Sequence, residues 1–409
     1  MRRLLSWVLS AVLLAGVAGA QEFSGLARID APASGIELSR GGADLTLQLS
    51  QGVPYRVFTL DAPRRLVLDF QEVDWTGLQP EQLLADRHVV SAQFGTYVPG
   101  WSRLVLELAQ PMQVKTADLS VDTVTAAAQL KIALTPVDEA TFAARAGAPV
   151  DPRWDLPAAE PLPVPNTRPS DAPLMVVLDP GHGGIDPGAQ VKNDRFEIDE
   201  KELALQFALE LGEILLRSGQ FDVRLTRNDD YFVSLERRIT LAHQAKADVF
   251  ISIHADSLSA GYAHGTTIYT LSDEASDVAS AKLAERQQRS QLLAGTDLSD
   301  TDDQVADVLL DLARVETHPR SLHLAQSVAD GMAEKGGPMN RRPLRSAGFS
   351  VLKSADIPSV LIEIGFLSSP RDLENLMDPD WRRRSAFGIL NGLLAWQEQD
   401  AAQKTLVRQ

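Results

Sequence analysis

The sequence predicts two structural parts, a small all-β sandwich followed by an α/β domain whose mostly parallel sheet carries helices on both faces. Three observations predict this. Short runs of alternating polar and apolar residues recur between Leu45 and Leu134, unbroken apolar strands alternate with helical periods after Leu174, and nine prolines crowd the stretch from Pro136 to Pro173. Strict alternation places every second side chain on one buried face, the pattern of a sandwich strand. Apolar runs without alternation suit parallel strands covered on both sides. Proline at such density favours extended, semi-rigid chain. The expected organisation is a leader at 1–20, a β domain at 22–135, a linker at 136–173 and the α/β domain at 174–398.

The leader rests on Arg2 and Arg3, the apolar stretch Leu4 to Val17 and the small-x-small site Ala18-Gly19-Ala20, which together read as a secretory signal peptide. No other run of eighteen apolar residues follows, so no stable membrane insertion is expected after cleavage. Lys plus Arg is 39 against Asp plus Glu 55, a net charge of -16. A protein that tracks phosphates shows the opposite balance, so nucleic acid is not an expected partner. There is no cysteine. That excludes thiol catalysis and thiolate metal sites and leaves His, Asp and Glu as the strong metal ligands. An exported chain without cysteine fits a bacterial envelope, and the expected location is the periplasm.

In the β domain, Leu45, Leu47 and Leu49 alternate with Thr46, Gln48 and Ser50. Tyr55 to Leu60, Arg65 to Phe70, Arg103 to Leu108 and Gln129 to Leu134 repeat the pattern between Gly, Pro and Asp punctuation. No catalytic constellation is visible in it. In the α/β domain, Leu174 to Leu178 is a strand running into Asp179-Pro180-Gly181-His182-Gly183-Gly184, and Lys201 to Arg217 has helical spacing. Phe221 to Thr226 reads as a strand, Leu235 to Ala245 as an amphipathic helix, Asp248 to Ile253 as a buried strand ending at His254, and Ser359 to Ile364 as another. Ligands of such sheets collect at the carboxyl ends of the strands. Three ionisable residues sit there: His182, His254 and Glu363. A carboxylate inside an apolar strand is costly unless a metal, a cation or a donor meets it.

Four ordered segments carry a resemblance. Val177 to Gly184, Glu200 to Leu205, Ala247 to Asp256 and Pro358 to Ser368 resemble the signatures of the zinc-dependent N-acetylmuramoyl-L-alanine amidases. Pro54 to Phe58 with Pro63 to Asp69 resembles the AMIN domain, an envelope-targeting module of such enzymes. The resemblance implies Zn2+ held by His182, Glu200 and His254, with Glu363 as the catalytic carboxylate. It implies peptidoglycan as substrate, cleaved between N-acetylmuramic acid and L-alanine, and a role in separating daughter cells. The segment between His182 and Glu200 is about three residues longer than the family pattern, so Glu197 is a rival ligand.

The connection from His254 to Ser321 is long, and connections of that length are usually functional. Helices are expected near Asp273 to Leu293 and Asp302 to Glu316, an insertion at about 273–316. The resembled branch carries here a regulatory helix that covers the metal and is displaced by an envelope activator protein. Glu274 is the candidate to reach the metal, with Glu285 next. Arg238 is expected to pair with Asp229 or Asp248, and Arg382 to Arg384 to form a solvated helix face. The competing readings are a non-catalytic scaffold that binds cell wall and a zinc peptidase on a similar sheet.

Overall fold

The structure is a computed structural model that describes residues 26–39, 41–85, 88–149, 172–192, 197–257, 264–289, 304–335 and 337–407. The leader expected at 1–20 lies outside the described residues, as do 150–171 of the proline-rich stretch and 290–303 of the insertion.

The N-terminal part contains β1 (Ala27–Arg28), β2 (Gly35–Ser39), β3 (Gly42–Leu49), β4 (Tyr55–Leu60), β5 (Arg65–Gln71), β6 (Val73–Asp74), β7 (Val89–Val98), β8 (Trp101–Leu108), β9 (Met112–Val121) and β10 (Ala128–Pro136). Two four-stranded antiparallel sheets form, in the orders β2-β3-β10-β9 and β4-β5-β8-β7. Their inward residues build one core: Leu45, Leu47 and Leu49 of β3 and Leu130, Ile132 and Leu134 of β10 meet Leu66, Leu68 and Phe70 of β5 and Leu104, Leu106 and Leu108 of β8. The period-two pattern read from sequence is this core face.

The linker starts later than expected. Residues 139–145 form α1 (Glu139–Arg145), capped by Asp138, whose side chain accepts from Thr141 N. Phe142 is buried in the sandwich core. A seven-residue helix is too short to show a period, which hid it among the prolines.

The C-terminal part runs β11 (Leu174–Pro180), β12 (Gln190–Lys192), β13 (Glu197–Asp199), α2 (Glu200–Arg217), β14 (Phe221–Leu225), α3 (Leu235–Gln244), β15 (Val249–His254), β16 (Thr266–Leu271), α4 (Val278–Arg289), α5 (Gln304–Lys335), β17 (Met339–Ala347), β18 (Ser359–Glu363), α6 (Pro370–Met377) and α7 (Pro379–Val407). One six-stranded sheet has the order β14-β11-β15-β18-β16-β17. The first four strands are parallel, β16 runs antiparallel to β18, and β17 runs parallel to β16. Side chains on alternate sides of each strand feed two layers. Val176, Leu178, Ile251, Ile253 and Ile362 pack under α2, α5 and α7, while Val177, Phe250, Tyr269 and Leu361 pack under α3 and α4. The extra length after His182 is the hairpin of β12 and β13.

Helix α5 does not stop at Glu316. It continues through Pro319 to Lys335, and Leu324 and Val328 lie in the core. Proline reads as a breaker in sequence, and the expected helix accordingly ends at Glu316. Helix α4 begins at Val278, later than the expected Asp273, and residues 290–293 of the expected span lie outside the described residues; Asp277 caps it by accepting from Ser280 N. Arg382 does not lie on a solvated face. It is buried and paired with Glu210 at 2.9 Å, while Arg383 and Arg384 remain exposed. Among the described residues no helix is long and apolar enough to cross a membrane.

Candidate metal centre and active site

Three parallel strands end side by side and deliver the chemistry. Pro180 closes β11 and leads through Gly181 to His182, His254 is the last residue of β15, and Glu363 is the last of β18. His254 and Glu363 are register partners across the two strands. Glu200 opens α2 and is fully buried. His182, Glu200 and His254 each offer a ligand atom, and these atoms lie within 4.8 Å of one another.

Each ligand is held by the backbone or by another side chain. Glu200 Oε2 accepts from Ala189 N at 2.8 Å and Oε1 accepts from Ala255 N at 3.0 Å. His182 Nδ1 donates to Asp186 Oδ2 at 2.9 Å, which turns Nε2 toward Glu200 Oε2 at 3.2 Å. His182 has φ +59°, a left-handed conformation that costs a non-glycine residue ~1–3 kcal/mol and persists only where its surroundings impose it. Here they do. Arg238 donates to the carbonyl of His182 at 2.8 Å, to that of Pro180 at 2.7 Å and to Asp179 Oδ1 at 2.7 Å. Asp179 also accepts from Thr226 and Ser252 hydroxyls. The expected partners of Arg238, Asp229 and Asp248, are therefore replaced by Asp179. Arg227 completes the frame. It donates to the carbonyls of Pro180 (3.1 Å), Gly181 (2.7 Å) and Lys201 (2.8 Å), tying the His182 loop to the start of α2.

The donor set fits a divalent cation. His182 Nε2 and Glu363 Oε1 are buried with no hydrogen-bond partner among the described residues. His254 Nδ1 faces both Glu200 Oε1 at 3.0 Å and the Gln287 amide at 2.8 Å, and one ring position cannot satisfy both. Two imidazole nitrogens and one carboxylate oxygen are the ligands of a catalytic zinc site with a position left open. Gly188 leaves the space free: it has φ +69°, and a Cβ there would stand 2.6 Å from the His182 ring and 2.7 Å from Glu200 Oε2. The rival Glu197 is turned away. It is exposed and pairs with Lys192 at 3.1 Å.

The expected regulatory residues do not reach this cluster. Glu274 is exposed ahead of α4, its backbone N–H donating to Ser272, and Glu285 is exposed on the outer side of α4. The residue that arrives is Gln287, buried against His254, one helical turn beyond Leu283 and Ala284, which seat α4 on the sheet. Beside it Arg286 pairs with Asp256 at 2.5 Å. The expectation named acids, and the side chain in contact is an amide.

A family model described as N-acetylmuramoyl-L-alanine amidase matches residues 176–395, and a model of the AMIN domain matches residues 35–134. The chain belongs to the N-acetylmuramoyl-L-alanine amidase family. It is 30% identical over 363 residues to the amidase AmiC of Escherichia coli, covering 86% of each chain. With AmiC of Neisseria meningitidis it shares 31% over 362 residues, 85% of each. An amidase structure from Clostridium difficile aligns with 55% of this chain and 97% of its own, at 26% identity and a TM-score of 0.41. The protein is thus a peptidoglycan hydrolase that cleaves the amide bond between N-acetylmuramic acid and L-alanine, and the scaffold and peptidase readings fall away.

The amidase's buried charges shift one another. Burial, with Glu200 and Asp256 nearby, raises Glu363 well above the usual carboxylate range. Burial also raises Asp256, with Glu200 adding to it, to about 6. Burial opposes ionisation of Glu200, but the two histidines outweigh it and hold the carboxyl well below its usual range. Burial depresses His254, whereas in His182 the pull of Asp186 and Glu200 overcomes burial and raises it. Two carboxylates of one cleft are thereby pushed in opposite directions, the condition for one to bind and the other to exchange protons. The sequence reading missed Asp186, Arg227 and Gln287. Asp186 lies four residues beyond His182 in the same Gly-rich segment, a position from which a turn can bring it back to the ring.

Proposed function

We propose that His182, Glu200 and His254 hold a zinc ion, that Glu363 is the proton carrier of the amidase reaction, and that α4 holds the enzyme off. The observation that carries this is the convergence of ligand atoms of His182, Glu200 and His254 within 4.8 Å beside the unpartnered Glu363 Oε1. Bound zinc supplies a Lewis acid that acidifies water and polarises the lactyl carbonyl. Glu363 does the rest of the proton work. Its Oε2 is fixed by Asp256 N at 2.9 Å, leaving Oε1 to accept the proton of the attacking water. The same oxygen returns that proton to the leaving amine of L-alanine, so water adds as hydroxyl to the acyl carbon and as hydrogen to the amine. A carboxyl whose affinity for protons is raised by burial suits both halves of that exchange. Asp186 fixes the His182 tautomer and ring, as carboxylates behind metal-bound histidines do.

The regulatory reading rests on Gln287. An amide 2.8 Å from His254 Nδ1 crowds a residue that would hold the metal, and with the amide turned its oxygen would face the same ring. An envelope activator that lifts α4 would expose the site. This reading makes the protein a periplasmic enzyme of daughter-cell separation whose β domain brings it to the cell wall.

The test is release of stem peptide from purified peptidoglycan by the metal-loaded chain, with products identified by mass. Peptides with a free L-alanine amino terminus are expected, absent after chelation and restored by zinc. Restoration by no divalent metal would sink the zinc assignment.

A further inference from the structure

The outer face of a sandwich sheet ordinarily meets water. On β4-β5-β8-β7 it does not. Asp69 accepts from Arg103 at 2.5 and 3.0 Å and from Arg56 at 2.8 Å, and the Arg103 guanidinium lies 3.6 Å from the centroid of the Tyr97 ring. Asp69, Tyr97, Arg103 and Val105 are all buried. What meets the Tyr97 and Val105 part of this face is the amidase domain. Tyr97 stacks on Phe232, centroids 5.7 Å apart at 18°, and Val105 and Ile185 complete the same apolar cluster. Ile185 N donates to Thr96 O at 3.1 Å. The approach is close enough to demand glycine: Gly184 has φ +57°, and a Cβ there would meet Thr96 O at 1.8 Å.

The docked segment is not an arbitrary piece of surface. Gly184 and Ile185 lie between His182, a metal ligand, and Asp186, which orients its ring. From the amidase side, Asp230 accepts from Gly184 N at 2.7 Å and Lys201 donates to Gly184 O at 3.0 Å. Thr96 O takes the next amide along. Strand β7 therefore closes the open side of a loop whose middle must stay still if His182 and Asp186 are to keep their geometry.

We propose that the N-terminal sandwich is a positioning element of the metal site: Thr96 and Tyr97, docked on Gly184, Ile185 and Phe232, hold the loop that carries His182 and Asp186 and so raise the affinity for zinc. This rests on the metal reading above. The sandwich then does two jobs, carrying the enzyme to its substrate and finishing its active site. An event that pulled the domains apart would also loosen the metal.

The test uses the full chain and two readouts. Hydrogen exchange follows the Ile185 amide, and competition with a chromogenic chelator gives the zinc dissociation constant. The variants are Tyr97→Ala, Phe232→Ala on the opposite side of the contact, and Tyr97→Phe, which keeps the ring stack. Ile185 is expected to be protected in the native chain and in Tyr97→Phe. Both alanine variants should exchange it at least about tenfold faster and weaken zinc by about tenfold, the lower end of what disturbing a ligand's support costs. An Ile185 amide unprotected in the native chain overturns the proposal, because the contact is then not made in solution. Faster exchange with unchanged zinc affinity overturns it too, because docking then does not reach the ligand. A native chain that takes up no zinc overturns the metal reading itself, while Ile185 protection still reports separately whether the domains dock.

Discussion

Lifting α4 off the site by substitution should switch the amidase on without any activator. Two side chains hold the end of the helix over the His182–Glu200–His254 cluster, Arg286 through Asp256 and the carbonyl of Ser257, and Gln287 through His254. The Arg286 side chain is 44% exposed and Asp256 is 2% exposed, so the pair is partly screened and is worth about 1 kcal/mol. The Gln287 hydrogen bond contributes about 1 kcal/mol more. Losing both raises the open population by about 30-fold, at ~1.4 kcal/mol per factor of ten. The two side chains are neighbours and need not add, so the double variant Arg286→Ala with Gln287→Ala is the one to measure. Leu283 and Ala284 remain seated on the sheet, and the fold should survive, which a thermal unfolding curve checks. The assay is basal release of stem peptide from purified peptidoglycan by zinc-loaded protein. A folded, zinc-loaded double variant that works at the native basal rate would refute the reasoning, since the helix would then be no barrier.

Substitutions at three further residues probe the centre itself. Glu363→Gln keeps shape and removes the proton carrier; peptide release should fall by about 10²–10⁴-fold while zinc content, read by atomic absorption, stays at the native level. Asp186→Asn frees the His182 ring and should weaken zinc by about 10–100-fold, with activity recovering in excess zinc; a loss that no zinc concentration repairs would place Asp186 in the proton chemistry instead. Arg238→Ala strands the buried Asp179 and should cost about 3–5 kcal/mol of stability by chemical denaturation. Arg238→Lys should recover little, because one ammonium cannot serve Asp179 and the carbonyls of Pro180, His182 and Val233 together.

Much of this molecule is legible in its sequence. Alternating leucines around 45–49 and 104–108 specify a sandwich, and unbroken apolar runs ending at His254 and Glu363 specify parallel strands with polar ends, because burial on one face or two leaves different patterns. What escaped has physical causes. Strand β17, Met-Asn-Arg-Arg-Pro-Leu-Arg-Ser-Ala, lies at the sheet edge, and its largely polar sequence gives no period. Helix α5 crosses a proline that its buried flank tolerates. Charge is what a sequence advertises, so Glu274 and Glu285 stand out there, while Gln287 becomes visible only when the helix is docked and its side chain lies against His254.

The loop from Asp179 to Gly188 shows why the site could be read only in part. His182 itself is plain in the sequence, but the strain there is supported from four places far apart in the chain: Thr96, Arg227, Asp230 and Arg238. Each contact is ordinary taken singly, a hydrogen bond worth about 1 kcal/mol. Together they fix a backbone conformation that His182 would not choose alone. Buried arginines serve this purpose because each guanidinium can bind several carbonyls at once; Arg227 does so even though burial, with Arg238 adding to it, lowers its pKa to about 10. The same logic explains why the sandwich matters to chemistry it never touches. A loop braced on every side but one is only as still as its last contact, and in this chain the last contact is the carbonyl of Thr96.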